Sequence, residues 1–283
     1  MKDLILGSVT NYTFDKVKNW VNSIDKSGFD GYRVMIAYNV GYEIVEELSK
    51  KQFTVITFNQ DDLNRRYTYR ENFNIVVDRF YHYWKTLSQI QSEVRYVIAT
   101  DVKDVVFQTN PTEWFDANQH DGLIASSEGI RYGHEHWNNN NMKLSFPFVH
   151  DYMLNKTVYN AGVIAGKIDV IKDLFLNIFT TCVNMPHTIP GGGGPDQAAY
   201  NVLLTMSSYQ SQTMFSDSKD AWAAQLGVLA DPTKISSFRP YLLDDEPIMK
   251  NENVCNKNGI PFCVVHQYDR VPEWKKIIDK KYD

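Results

Sequence analysis

Tyr96-Val-Ile-Ala-Thr-Asp101-Val-Lys-Asp104-Val-Val-Phe107 decides how the chain is read. The apolar run Tyr96 to Ala99 has the length and composition of a buried strand. Two carboxylates, Asp101 and Asp104, end it, and a second apolar run from Val105 to Phe107 follows at once. In an open α/β sheet, the C-terminal ends of central strands are where ligands bind. Two carboxylates close together at such a place can hold a hard divalent cation, which can in turn hold phosphate oxygens. On this stretch alone, a loop with two solvated aspartates is an equally good reading.

Upstream, the pattern is that of alternating strands and helices. Leu4 to Val9 reads as a first strand running into Thr10, Asn11, Tyr12 and Thr13. Thr13 or Asp15 is a candidate cap for a helix through about Ser23, with Val17, Trp20, Val21 and Ile24 on one face. Gly28 and Gly31 interrupt the chain before a second strand, Tyr32 to Tyr38. A short helix from Glu43 to Lys51 and a third strand from Phe53 to Phe58 follow. A βαβαβ order implies a parallel sheet with crossover connections. Asn72 to Gln91 then has helical spacing, with Phe73, Val76, Val77, Phe80, Tyr83, Trp84 and Leu87 on the apolar side.

Downstream, Pro111 stops the central element, and Asp121 to Ser127 reads as another strand. From Glu128 to Asn155 the periodicity is lost, which predicts a functional loop or lid. Val158 to Ala165 resumes the sheet, Asp169 to Val183 is a helix, and the glycines of 191–194 are a hinge before a helix from Asp196 to Met206. A last strand runs from Phe262 to Val265, ahead of a basic tail. There is no internal repeat and no linker, so residues 1–283 are expected to form one domain.

The bulk properties narrow the function. With 43% hydrophobic and 22% charged residues, the composition is that of an ordinary globular protein. A net charge of -5 with no Lys/Arg block argues against a nucleic-acid partner. Three cysteines without C-x-x-C spacing argue against a disulfide framework or a structural zinc site. There is no signal-like leader and no apolar run of about 18 residues, so a soluble, cytoplasmic protein without membrane insertion is expected.

Four further stretches carry candidate chemistry. His266 follows the apolar run Phe262 to Val265, and a neutral imidazole there is either a metal ligand or a packed core histidine. Asn160-Ala161-Gly162 puts an amide and a glycine at the start of a buried strand, where close approach is possible. Asp196-Gln197 sits at a helix start behind the glycines, which lack the Gly-Lys-Ser/Thr of a P-loop; capping is the alternative role for Asp196. Ser126-Ser127-Glu128 ends a strand with a carboxylate suited to binding hydroxyls or acting as a base. No Gly-x-Ser-x-Gly elbow or Cys/His pair argues for acyl transfer.

In this order the pieces resemble the GT-A fold glycosyltransferases, and within them the retaining, family 8-like branch. Asp101-Val-Lys-Asp104 is similar to their DxD motif with one residue inserted. Tyr159 to Gly162, Asp196-Gln197 with Asn201, and His266 resemble further motifs of that branch, and Pro272-Glu-Trp274 falls where it carries a proline-containing stretch. The likeness runs from Leu6 to Trp274.

The resemblance implies an α/β fold with a mixed, mostly parallel central sheet flanked by helices. A Rossmann-like nucleotide-sugar-binding half (residues 1–110) would join an acceptor-binding half (111–283). It implies transfer of a sugar from a nucleotide-diphosphate donor, UDP-linked above others, to a carbohydrate or other hydroxyl acceptor. Mn²⁺ or Mg²⁺ would be held by Asp101, Asp104 and His266. Gly7, Ser8, Val9, Thr10 and Asn11, with Phe58 to Gln60, Thr100 and Val102, are expected to hold the nucleotide. Arg79, Lys85 and Arg270 are expected to add positive charge for the diphosphate. Asn160, Ala161, Gly162, Asp196, Gln197 and Glu128 would face the sugar, Asp196 or Glu128 serving as base if the reaction inverts. His134, His136 and Trp137 would shape the acceptor site. Two rivals remain at this level. A sugar-nucleotide nucleotidyltransferase would share the acidic pair but carry a basic, Gly-rich N-terminal loop, and Gly7 to Asn11 has one glycine and no basic residue. A silent carbohydrate-binding protein of the same fold would need neither the acidic pair nor His266.

Overall fold

The computed structural model describes residues 1–59, 74–185 and 192–283. Its strands are β1 (Lys2–Thr10), β2 (Tyr32–Tyr38), β3 (Thr54–Phe58), β4 (Val94–Thr100), β5 (Val105–Phe107), β6 (Leu123–Arg131), β7 (Thr157–Lys167), β8 (Thr213–Ser216), β9 (Ala223–Gln225), β10 (Ile248–Lys250), β11 (Asn253–Cys255) and β12 (Val264–His266). The longer described helices are α1 (Lys18–Lys26), α2 (Tyr42–Lys50), α3 (Ile75–Ile90), α4 (Pro111–Asn118), α5 (His136–Ser145), α6 (Ile168–Cys182), α7 (Asp196–Leu204) and α8 (Pro272–Tyr282).

Seven strands form the central sheet in the order β3-β2-β1-β4-β7-β6-β8. The pairs β1–β2, β2–β3, β1–β4 and β6–β8 are parallel, whereas β7 runs antiparallel to both β4 and β6. The chain is therefore an α/β protein with a mostly parallel sheet, as expected. The direction of β7 was not readable from its apolar run, because burial on both faces gives the same pattern for either pairing.

Alternation along β1 divides the core. Leu4 and Leu6 face α3 and α6 with Phe80, Tyr83 and Phe175, while Ile5 and Val9 face α1 with Trp20 and Val21. Each of these side chains is almost wholly buried, a gain of about 1.5–3 kcal/mol apiece for the large apolar ones. β1 and β4 are neighbours, yet the chain leaves β1 toward β2 and β3 on the other side. The gap beyond their C-terminal ends is thus a topological switch point, the usual ligand crevice of such sheets. Thr10 and Thr100 mark its two walls.

Directly after β4 the chain changes sheet. Residues 101–104 make the turn, and β5 then pairs antiparallel with β12, itself parallel to β9. This second sheet of order β5-β12-β9 carries its own small core with Val106, Phe262 and Val265. The register aligns Val105, His266 and Gln225 across the three strands. A histidine distant in sequence is therefore fixed one residue from Asp104.

Several sequence expectations need correction. The stretch from Glu128 to Asn155 is not a loop: β6 runs on to Arg131, a 3-10 turn covers Tyr132–His134, and α5 follows. Its helical period was hidden because buried polar residues, Asn138 and Asn141, take the inward positions. Thr13 and Asp15 do not start a long helix; a 3-10 turn at Phe14–Lys16 precedes α1, and Thr13 makes no capping bond. The last strand begins two residues late and includes His266. The basic tail is the helix α8, started by Pro272 and packed on α1 through the Lys18–Asp283 ion pair. Among the described residues, no helix is long and apolar enough to cross a membrane.

Candidate metal centre and sugar-sized cleft

Asp101, Asp104 and His266 bring one ligand atom each within 4.8 Å of one another. His266 Nε2 lies 3.6 Å from Asp101 Oδ2 and 3.7 Å from Asp104 Oδ1. The ring is buried, and its Nδ1–H donates to Gln225 Oε1 at 2.8 Å. With Nδ1 engaged by Gln225, Nε2 is the ring nitrogen that faces the two carboxylates, the placement a metal-ligating imidazole requires. Gln225 is fully buried and sits in a strand read only as Ala-Ala-Gln, which gave no sequence signal. Gln225→Leu should leave the fold in place and weaken Mn²⁺ binding about 10–100-fold, measurable by titration calorimetry.

Gly162 completes the cradle. A Cβ there would lie 2.4 Å from His266 Cε1, 2.8 Å from Asp101 Oδ2 and 2.9 Å from Asn160 Oδ1. Its carbonyl accepts from Asp101 N–H at 2.8 Å, and its N–H donates to Asn160 Oδ1 at 2.7 Å. An N,O,O ligand set with a cavity that a methyl group would fill fits a borderline or hard divalent cation.

Behind the triad lies a buried cation. Arg79, on the inward face of α3, donates Nη1 to Asp101 Oδ1 at 2.5 Å and Nη2 to Asp196 Oδ2 at 3.2 Å. Burial pushes the Asp101 carboxyl up, but Arg79 and His266 outweigh it and hold the group below the usual range. Burial dominates at Asp104 and lifts it, aided by the charge of Asp101. Asp196 is likewise raised by burial, against the pull of Arg79.

The triad lines a cleft of about 560 Å³, which suits a sugar-sized ligand. Asn160, Gln197, Glu128 and Asn138 line its inner wall, and Trp137, Lys234 and Arg270 are among the residues nearer the exposed side. Glu128 is 4% exposed and is pushed up to about 7 by burial and by neighbouring Glu135, against amide hydrogen bonds from Asn160, Gln197 and Asn138. Because the folded form holds this proton more tightly than the unfolded chain, stability falls as pH rises from the ordinary 4.5 to about 7. That span corresponds to about 3 kcal/mol at most. Glu128→Gln should flatten this decline, measured by denaturant unfolding at the two ends of the window.

The expected site residues divide clearly. Asp101, Asp104, His266, Arg79, Arg270, Glu128, Asn160, Ala161, Gly162, Asp196, Gln197 and Trp137 all line the one cleft. Lys85 does not: it is exposed, six positions beyond Arg79 and so about 240° around the helix. His134 and His136 are also exposed away from the cleft, and His134 stacks on Tyr241 at 4.1 Å. Gly7 serves packing, since a Cβ there would meet Val102 Cγ1 at 2.5 Å and Trp20 at 3.1 Å. Val9 and Val102 point into the core, and Thr100 Oγ1 accepts from Trp20 Nε1 at 2.8 Å. Ser8 is buried, while Thr10 and Asn11 lie at the end of β1, next to β4. Phe58 ends the edge strand β3 and packs on His82 at 4.2 Å; Gln60 lies outside the described residues.

Sequence reasoning missed Gln225, Asn138, Glu135 and Lys234. The Tyr12 hydroxyl is raised first by burial and then by the charges of Asp101 and Asp104, but Tyr12 lines a separate cavity. Asn201 turns out to be structural: its amide clamps both the N–H and the carbonyl of Tyr159, at 2.8 and 2.7 Å. Neither protein-family models nor curated protein sequences yield a match to this chain.

Proposed function

We propose that the protein is a divalent-cation-dependent glycosyltransferase that moves a sugar from a nucleotide-diphosphate donor, a UDP-sugar above others, to a glycan or other hydroxyl acceptor. The observation that carries this reading is the Asp101/Asp104/His266 set at the switch point, opening directly onto a polar, sugar-sized cleft. A binding module without chemistry has no need of three converging candidate ligands, one of them oriented by Gln225.

Asp101, Asp104 and His266 would hold Mn²⁺ or Mg²⁺. When bound, such a cation supplies Lewis-acid stabilisation of the charge on a departing diphosphate. The chain's own residues do the rest. Arg270, exposed near Asp104, would add positive charge for the diphosphate, and Arg79 keeps Asp101 ionised and oriented. Asn160, Gln197 and Glu128 wall the sugar and exclude water. Trp137 offers an aromatic face to an acceptor ring at the cleft mouth. The bond from the anomeric carbon to the diphosphate oxygen breaks, the acceptor oxygen bonds that carbon, and the hydroxyl proton leaves with the phosphate. Attack on the face of departure needs no enzyme nucleophile and retains configuration, in keeping with the resemblance noted above.

The test is release of UDP from UDP-glucose or UDP-galactose with Mn²⁺, followed by a coupled assay, with the product anomer read by proton NMR. Turnover that EDTA abolishes and Mn²⁺ restores is expected. Turnover indifferent to EDTA would contradict the reading.

A further inference from the structure

The inner wall of the cleft contains a closed hydrogen-bonded unit of one carboxylate and three amides. Glu128 Oε1 accepts from Asn160 Nδ2 at 2.6 Å and from Gln197 Nε2 at 2.9 Å, and Oε2 accepts from Asn138 Nδ2 at 2.9 Å. Gln197 gives its second N–H to Asn138 Oδ1 at 2.7 Å and accepts Ala161 N–H at 3.0 Å. Asn160 Oδ1 accepts Gly162 N–H at 2.7 Å. All four side chains are at least nine-tenths buried.

An ionised carboxylate, the form Glu128 takes above about pH 7, can only accept, whereas an amide can present either end. Glu128 is thus the one member that dictates which way the amides face. Turning Asn160 over would aim its oxygen at the carboxylate and its NH₂ at the Gly162 N–H. With the orientation set, Gln197 is fully used, but Asn160 and Asn138 each keep one N–H, and both residues line the cleft. Glu128, by contrast, has three of its acceptor positions filled by amides, which is poor provision for a nucleophile or base.

We propose that Glu128 is a positioning residue: it fixes the amide faces of Asn160 and Asn138 so that their remaining N–H groups meet the hydroxyl oxygens of the transferred sugar. This rests on the glycosyl-transfer reading and changes the role of Glu128 from candidate base to orienter. A carboxamide at position 128 would have to turn an N–H toward Asn160 and Gln197 or toward Asn138, and so breaks the unit at one of these contacts.

The experiment compares wild type, Glu128→Gln and Glu128→Ala, the last with and without added azide. Mn²⁺-dependent UDP affinity is measured by calorimetry, and kcat and KM for hydrolysis of UDP-glucose, UDP-galactose and UDP-N-acetylglucosamine by UDP release. Both variants should keep UDP affinity within about threefold and lose about 100-fold in kcat/KM, and azide should neither restore turnover to Glu128→Ala nor give a glycosyl azide. Turnover rescued by azide, or a glycosyl azide product, would show that Glu128 acts as base or nucleophile and overturn the proposal. So would a fully active Glu128→Gln. A wild type that binds no UDP with Mn²⁺, or turns over none of the three sugars, contradicts instead the glycosyl-transfer reading on which the proposal stands.

Discussion

Gly162→Ala is expected to lower Mn²⁺ affinity by about 10–100-fold or more, the range seen when the surroundings of metal ligands are disturbed. The added methyl group would need space already taken by His266 Cε1, Asp101 Oδ2 and Asn160 Oδ1, all within 2.9 Å of its ideal position. None of the three yields cheaply. His266 is tied to Gln225, Asp101 to Arg79, and Asn160 to Glu128. Overpacking of this kind costs about 1–3 kcal/mol, and two of the side chains that must move, His266 and Asp101, are the proposed ligands. Calorimetric titration of Mn²⁺ checks the affinity, and thermal melting checks that the fold survives. Unchanged affinity would show that the cradle is looser than its geometry and would weaken the assignment of Gly162.

Arg79→Met should produce the largest loss of stability at the site, about 3 kcal/mol at neutral pH by denaturant unfolding. The guanidinium is the counter-charge of Asp196, whose side chain is only 9% exposed, and of Asp101, at 38%. The more exposed Asp101 retains solvent and contributes less to the loss. Removing the cation leaves Asp196 as a buried carboxylate without its counter-charge, and its acidity, already weakened by burial, falls further. The folded variant then binds a proton that the unfolded chain has released. Its stability should therefore decline with rising pH above the ordinary carboxylate range, and acidification should recover part of it. A stability equal to wild type at pH 7 would mean that Arg79 is dispensable to the charge balance.

How far the sequence could be read depended on what kind of signal each residue leaves. Strand β4 and its acidic pair stood out because an apolar run ending in two carboxylates is visible without tertiary information. The candidate ligand His266 was recognised for the same reason, as a polar residue at the end of an apolar run. What brings it to Asp104 is the antiparallel register of β12 with β5, which pairs His266 with Val105 and has no local signature. Arg79 and Lys85 looked alike as cations on one helix, and only the phase of α3 against the sheet separates the buried one from the exposed one. The wall of the cleft was hardest to see. Asn138 and Asn141 are inward-facing on α5 because carboxylate and backbone partners satisfy them, so apolar periodicity, the usual guide to a buried helix face, is missing there. Gly7, expected to hold the nucleotide, shows the converse: the space that a side chain there would take is filled by Val102 and Trp20.

The central claim is that three side chains from two sheets form one cation site through which a nucleoside diphosphate is held. Titration calorimetry of UDP into the full chain, with Mn²⁺ and with EDTA, for wild type and Asp104→Ala, tests it most directly. The account predicts saturable UDP binding by the wild type with Mn²⁺, none with EDTA, and none by Asp104→Ala under either condition. UDP binding of equal strength with EDTA, or undiminished in Asp104→Ala, would contradict it.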